Sequence, residues 1–275
     1  MSSLDLDIGV IYTHERELMP RLLTTMAASG DGINMRLILV DNASSDSVQP
    51  WCEYFPSTRI LTNQRRLSYA ANLNRILDAS TARYVLLMNT DMYFEPHEQC
   101  LGRMVAMMDA RPDCGVAGCR LYHDDGTDAH AARRFQTLRL LVARRCGLGR
   151  LMRRTLDRHF YAEHRPEETF DCDWLSGCFL MVRREAALQV GHVDEGYGKY
   201  FEDVDYCLRM ARAGWRVMYH GAASCVHLEG RASRNLCSAD AWLHLRAYAR
   251  WLRRWGLRPT AASLPLPAAP RPKAA

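Results

Sequence analysis

In Tyr84-Val-Leu-Leu-Met-Asn-Thr-Asp-Met92 five apolar or aromatic residues pass without a break into the polar turn Asn89-Thr-Asp91. A run that short, apolar on every position and closed by polar residues, reads as a strand buried on both faces. The pattern recurs upstream. Asp7-Ile-Gly-Val-Ile-Tyr12 is one such strand, Arg36-Leu-Ile-Leu-Val40 a second, ending in Asp41-Asn-Ala-Ser-Ser-Asp46, and Arg59-Ile-Leu-Thr62 a third. Between them lie helical spacings: Leu18, Leu22, Leu23 and Met26, then Tyr69, Leu73, Ile76 and Leu77. Strands alternating with helices at this pitch predict βαβ units and a parallel sheet, whose ligands bind beyond the carboxyl ends of the strands. Both Asp41 and Asp91 fall at such ends. The turn after the first strand, Thr13-His-Glu-Arg-Glu17, has no glycine, which argues against a dinucleotide-binding oxidoreductase.

The chain of 275 residues is 48% apolar and 24% charged, with a net charge of +5, the balance of an ordinary globular protein. Only Lys199 and Lys273 among the 36 basic residues are lysine; the rest are arginine, whose planar fork suits phosphates and carboxylates. Ten cysteines contain no Cys-x-x-Cys pair and read as free thiols acting as small hydrophobes. With no signal-peptide pattern and no apolar run near about 18 residues, the expectation is a reducing, cytoplasmic compartment, with any membrane attachment at its inner face.

Beyond Val116 the strands shorten. Val116–Tyr122 and residues around Ala131–Phe135 flank the turn Asp124-Asp-Gly-Thr127, and Asp171–Gly177 and Phe179–Arg183 read as strand, glycine turn, strand. The stretch Arg133–Arg158 carries nine arginines and a single acid, Asp157. It is either a packed helix with a solvated basic face or a basic surface facing a membrane or polyanion. It lacks the aromatic interleaving or zinc spacing of nucleic-acid modules, and no nucleic-acid partner is expected. Phe201-Glu-Asp-Val-Asp-Tyr-Cys-Leu-Arg-Met-Ala-Arg212 has a helical apolar face at Val204, Cys207, Leu208 and Ala211, with Gly214 as its stop and Glu202, Asp203 and Asp205 in its first turn. Those acids either complement the helix dipole or supply a general base at the rim of a cleft. Arg216–Tyr219 and Ser224–His227 read as two short strands, and Ala239–Trp255 as a last helix with tryptophans beside arginines. That composition suits a membrane interface and equally a helix packed back on the domain. The Pro- and Ala-rich residues 259–275 are expected to be disordered.

Val40-Asp-Asn-Ala-Ser-Ser-Asp46, Leu86-Leu-Met-Asn-Thr-Asp91, Asp173-Trp-Leu-Ser-Gly177 and Tyr200-Phe-Glu-Asp-Val-Asp205, followed by Val226-His-Leu-Glu-Gly230, resemble in that order the family 2 inverting glycosyltransferases of the GT-A fold, particularly their bacterial rhamnosyltransferase-like branch. The resemblance runs from about Ile8 to about Trp255. It implies a single α/β domain over residues 1–258, with a mixed, mostly parallel sheet flanked by helices. Residues of about 7–120 would form the nucleotide-sugar half, about 121–235 the acceptor half, and about 239–255 a closing helix. It further implies that Asp41 contacts the nucleobase, with Tyr12, Thr13, Glu15, Arg66, Asn89 and Thr90 as further donor-binding candidates. Asp91 and His227 would hold a divalent metal, Mn2+ or Mg2+. Asp203 would act as the base beside Glu202, and Trp174 and Gly177 would line the acceptor side.

The implied activity is transfer of a sugar, such as rhamnose or another deoxyhexose, from a nucleotide-diphosphate donor to a saccharide or lipid-linked acceptor in cell-surface polysaccharide synthesis. Three places depart from the family pattern. Thr-Tyr-Asn after the first strand is Tyr12-Thr-His14, Asn-Leu-Gly-Phe is Arg66-Leu-Ser-Tyr69, and the first metal-motif acid is Asn89. The altered donor turn also fits a non-catalytic member that binds a nucleotide or glycan as a partner subunit.

Overall fold

The computed structural model describes residues 4–55, 57–137, 140, 151–228 and 239–256. Its sheet begins with four parallel strands, β1 (Leu6–Tyr12), β2 (Met35–Asp41), β3 (Thr58–Thr62) and β4 (Tyr84–Met88). After β5 (Met92–Tyr93) come β6 (Cys114–Tyr122), β7 (Ala132–Arg133), β8 (Thr169–Asp171), β9 (Trp174–Leu175), β10 (Phe179–Arg183) and β11 (Arg216–His227). The main sheet runs β3-β2-β1-β4-β10-β6-β11-β5, with β8 also on β11, while β7 and β9 form a separate ribbon. β10 is antiparallel to both neighbours and β6 parallel to β11. The sheet is mixed and mostly parallel, as the resemblance implied.

The strand runs are apolar because both faces are covered. Ile8, Val10, Leu37 to Val40 and Leu86 to Leu87 are fully buried. The helix Tyr69–Ala79 lies so close on β1 that a Cβ at Gly9 would stand 2.2 Å from Ile76 Cγ2. Below the sheet the fully buried Asp7 takes both Nε and Nη2 of Arg36 (2.8 and 3.0 Å), the Ser80 hydroxyl (2.9 Å) and the N–H groups of Thr81 and Ala82. That ion pair ties β1 and β2 to the turn before β4 at the end opposite the site.

The downstream strands differ from the sequence expectation in two respects: Asp171 ends β8 on the main sheet while Trp174–Leu175 form β9 of the ribbon, so Asp171–Gly177 is not one strand, and two expected strands further on are one. Arg216–Tyr219 and Ser224–His227 form a single strand, β11, with a register shift between His220 and Ser224 against β6. The intervening Gly221-Ala-Ala is a local irregularity, not a chain reversal. The helices Cys100–Ala110 and Arg184–Val190 also escape the sequence reading. The last helix spans Ala239–Trp255, as expected. Residues 138–139 and 141–150 of the basic stretch, and the Pro/Ala tail, lie outside the described residues. The eight described cysteines are free, seven of them buried. Among the described residues no helix is long and apolar enough to cross a membrane.

Candidate active site

Two groups of residues meet beyond the carboxyl ends of β1, β2 and β4. In the first group Tyr12 and Asp41 are register partners at the ends of β1 and β2. The buried Tyr12 donates its hydroxyl to Asp46 (3.1 Å), and Asp41 Oδ1 accepts the Ser44 N–H (2.9 Å). Asp41 therefore caps its own turn with one oxygen; among the described residues its other oxygen takes no hydrogen bond. Glu15 folds back to accept the N–H groups of Thr13 (2.7 Å) and His14 (2.9 Å), shaping the turn after β1 from within.

The loop carrying Arg66 is held against the Asp41 turn by a side chain the sequence reading did not single out. Asn42 accepts the Leu67 N–H (2.8 Å) and donates to the Leu67 carbonyl (3.2 Å), so its amide imitates a peptide partner. The buried Asn63 amide in turn donates to Asn42 (2.9 Å) and Asn72 (2.7 Å). Arg66 is exposed, its Nη2 lying 3.2 Å from His14 Nε2.

The Asn89-Thr-Asp91 turn leaves β4 in the middle of the sheet. Thr90 is buried, and Asn89 donates its N–H to the Cys178 carbonyl (3.1 Å). Asp91 accepts the Leu228 N–H on its carbonyl oxygen (2.8 Å), which fixes it to the end of β11, and its Oδ2 lies 3.3 Å from His227 Nε2. Burial disfavours a charged His227, but the Asp91 carboxylate and then the Cys178 sulfur outweigh it and hold the imidazole up to about 10. Asp91 Oδ1 is buried and has no hydrogen-bond partner among the described residues. A carboxylate oxygen stranded beside an imidazole is a donor set that fits a divalent cation, which would compete with the imidazole proton. Asp91 and His227 are a pair; among the described residues there is no cluster of three or more His, Cys, Asp or Glu able to bind a metal.

The three acids at the start of the helix Glu202–Arg212 have three different surroundings. Asp205 is fully buried and structural: it takes Arg209 Nε (2.8 Å), the Trp255 indole N–H (2.7 Å) and the Tyr197 hydroxyl (3.3 Å), joining this helix to the last one. Asp203 is half-buried, with Oδ2 accepting the Gly177 N–H (2.9 Å) and Oδ1 the Val204 N–H (2.8 Å). Desolvation raises its pKa, against the lowering effect of those two N–H groups and, more weakly, of the Arg133 guanidinium. Glu202 is 5% exposed, and its Oε2 has no hydrogen-bond partner among the described residues. Burial first and the Asp203 charge second push it up to about 8.

Tyr200 and Phe201 enter this helix with φ of 70° and 67°. Two consecutive non-glycine residues in the left-handed region are strained, and the strain sits directly before the acid pair.

One side chain joins the two groups. Tyr69 donates its hydroxyl to Asn89 Oδ1 (2.9 Å) and also reaches the Gly177 carbonyl (3.2 Å). The connection Asn89–Tyr69–Gly177–Asp203 thus runs from the strand-end turn to the helix first turn, and Tyr69, Gly177, Glu202 and Asp203 border one small, otherwise apolar cavity with Leu73, Leu87, Leu180, Val193 and Tyr206. Burial, and then the neighbouring Glu202, Cys178, Asp203 and Asp91, drive the Tyr69 hydroxyl well above its ordinary value, so it stays a donor. Gly177 is needed at this point: a Cβ there would stand 3.2 Å from Asp203 Cβ and Oδ2.

Trp174 is 4% exposed. Its indole N–H donates to the Arg134 carbonyl (3.0 Å), and the Arg133 guanidinium lies 5.1 Å from its ring centroid. Arg133, its register partner across the β7–β9 ribbon, is the cation facing the acid pair on this side. Asn42, Tyr69 and Arg133 were not read as site residues from sequence. The one available signal was the polar run from Asn63 to Tyr69 beside the Asp41 turn.

The family model for glycosyl transferase family 2 matches residues 7–191. The chain belongs to this family. The N-acetylglucosaminyl-diphospho-decaprenol L-rhamnosyltransferase of Mycobacterium tuberculosis is 30% identical over 228 residues, covering 77% of this chain and 71% of that protein. The rhamnosyltransferase WbbL of Escherichia coli is 24% identical over 89% of this chain and 92% of its own length. Among solved structures, the mannosyltransferase PcManGT of Pyrobaculum calidifontis, in complex with GDP-Man and Mn2+, aligns with a TM-score of 0.62 at 19% identity over 92% of this chain. GalNAc-T7 with UDP, GalNAc and Mn2+ gives the same TM-score at 12% identity. This chain spans 65% of the first structure and 49% of the second. The enzyme is a glycosyltransferase of family 2, rhamnosyltransferase-like, with the GT-A fold.

Proposed function

We propose that this glycosyltransferase is metal-dependent and inverting. On this reading it moves a deoxyhexose such as rhamnose from a nucleotide-diphosphate donor to a saccharide carried on a lipid, in cell-surface polysaccharide synthesis. The observation that carries the reading is the connection from Asn89 through Tyr69 and Gly177 to Asp203, which supports one cleft shared by a diphosphate-binding turn and an acceptor-side carboxylate. The acceptor class follows the mycobacterial relative, named for transfer to N-acetylglucosaminyl-diphospho-decaprenol.

Inversion requires a single displacement. An acceptor hydroxyl attacks the anomeric carbon opposite the departing nucleoside diphosphate, and its proton passes to a carboxylate oxygen of Asp203. Burial raises the Asp203 carboxyl and its two N–H donors oppose that rise, while burial and the Asp203 charge push Glu202 beside it up to about 8. On this reading Asp203 is the ionised member and takes the proton of the reacting hydroxyl. Asp91 and His227 would hold Mn2+ or Mg2+, which when bound offsets the charge of the leaving diphosphate. Asp41 would accept from the nucleobase, and Arg66 would meet donor phosphate oxygens.

Asp203→Asn is the test. It should leave intact the thermal shift produced by the matching nucleotide from a panel of UDP, dTDP, GDP and CMP with manganese. Transfer should drop by roughly 10² to 10⁴. Transfer at the native rate would remove Asp203 from the role of base.

A further inference from the structure

We propose that the outer face of the last helix is a membrane-docking surface for an anionic bilayer. The helix buries Ala247, Tyr248 and Trp251 against the domain. Outward it presents Trp242 at 70% exposure, with Leu243 and Leu245 at 42% and 46%. Trp242, Arg246, Ala249 and Arg253 follow one another at helical spacing of four, three and four, so they share a stripe, and all four are exposed.

The arginines of this helix divide by face. Arg250 and Arg254 turn inward onto Asp194, whereas among the described residues neither Arg246 nor Arg253 forms an ion pair. An indole in line with two uncommitted guanidinium groups matches the headgroup layer of a bilayer: the ring enters the acyl boundary and the arginines stay at the phosphates. A second copy of the chain fits the face poorly, because a twofold contact would press these uncompensated arginines toward each other.

The helix is also fixed to the acid pair. Trp255 donates to Asp205 (2.7 Å), and the Phe201 ring packs on His244, Tyr248 and Trp251 with centroids 5.2 to 6.0 Å apart. Docking this helix on a bilayer would therefore set the height of Asp203 above the lipid surface, where a lipid-linked saccharide presents its sugar. What the docking serves rests on the function proposed above; the docking itself does not.

The full chain should co-sediment at low salt with vesicles containing about 30% phosphatidylglycerol but not with phosphatidylcholine alone, and added salt should release it. Arg246→Gln with Arg253→Gln should lower partitioning about 25-fold, at about fivefold for each arginine. Trp242→Ser should lower it as well. Both variants should keep the native circular dichroism spectrum, melting temperature and nucleotide-induced thermal shift. Absence of binding to the anionic vesicles, or equal binding by all variants, overturns the proposal. So does a Trp242→Ser variant whose only change is a dimer becoming a monomer. The vesicles hold no acceptor, so a protein that binds them but shifts with no nucleotide defeats the functional reading and leaves docking intact. The reverse result defeats docking alone.

Discussion

Replacing Glu202 by glutamine should make the enzyme more stable, and increasingly so as the pH rises. Glu202 is 5% exposed and one of its oxygens has no hydrogen-bond partner among the described residues. Its pKa is pushed from 4.5 to about 8 by burial and by the neighbouring Asp203 charge. The unfolded chain releases this proton near pH 4.5, whereas the folded chain keeps it until about pH 8. Between those values the native state binds more protons, so stability present at low pH is lost as the pH rises through the folded pKa. At 1.36 kcal/mol per unit, the loss between about pH 6 and pH 9 comes to about 2 to 3 kcal/mol. Glutamine has no proton to lose, and the variant escapes this loss. At about 2 °C per kcal/mol for a chain of this size, the melting-temperature difference between Glu202→Gln and the parent should widen by roughly 5 °C from pH 6 to pH 9. Thermal melts of both proteins at the two pH values give the answer. Parallel profiles, with the same difference at each pH, would refute the assignment of a buried, neutral Glu202.

Two further substitutions separate the site from the scaffold. Gly177→Ala places a methyl group 3.2 Å from Asp203 Cβ and Oδ2, and the carboxylate must yield by a few tenths of an ångström. Turnover should fall about tenfold or more with little change in melting temperature, and an unchanged kcat would show that the exact seat of Asp203 is unimportant. Asp7→Ala, far from the site, leaves Arg36, Ser80 and two backbone N–H groups without their shared acceptor. It should cost about 3 to 5 kcal/mol in urea denaturation; a loss below about 1 kcal/mol would mean the pair behaves as a surface ion pair.

The legible part of this molecule was whatever a local pattern encodes. Leu37 to Val40 and Tyr84 to Met88 had to be buried strands because nothing else covers an apolar run of that length on both faces, and Asp41 and Asp91 then had to stand at strand ends. The helix Ala239–Trp255 was legible from its tryptophan spacing. What was not legible depends on long-range placement. The three acids Glu202, Asp203 and Asp205 look alike in sequence, but Trp255 and Arg209 make the last of them structural, and Gly177, 26 positions upstream, holds the second. Of these contacts only Arg209, four positions on from Asp205, leaves a local trace. Arg133 was read within a basic stretch, and it takes the β7–β9 register to bring it onto Trp174. The irregularity inside β11 failed for the opposite reason: Gly221-Ala-Ala looks like a loop locally, and the sheet runs through it.

The departures from the family pattern bear most directly on whether the site works. Taken one at a time, His14, Arg66, Ser68, Tyr69 and Asn89 are losses, and they favour a member that has given up catalysis. In space they are matched. The Arg66 guanidinium lies 3.2 Å from the His14 ring, so the two changes in the donor turn touch each other. Ser68, standing where the pattern has glycine, caps the helix Tyr69–Ala79 by accepting the Ala71 N–H (3.2 Å). The hydroxyl that distinguishes Tyr69 from phenylalanine is bonded to the amide oxygen that distinguishes Asn89 from aspartate. On the proposed reading, an aspartate at that position would add a further acid to Asp91, Glu202 and Asp203, disfavouring ionisation of Asp203. A neutral acceptor at Asn89, satisfied by Tyr69, avoids that repulsion and ties the turn to Gly177. Substitutions accumulating without function have no reason to compensate one another's hydrogen bonds across a cleft. Their pairing supports an active enzyme with an altered donor rim, and it makes His14 with Arg66 the two residues to exchange when the nucleotide preference is mapped.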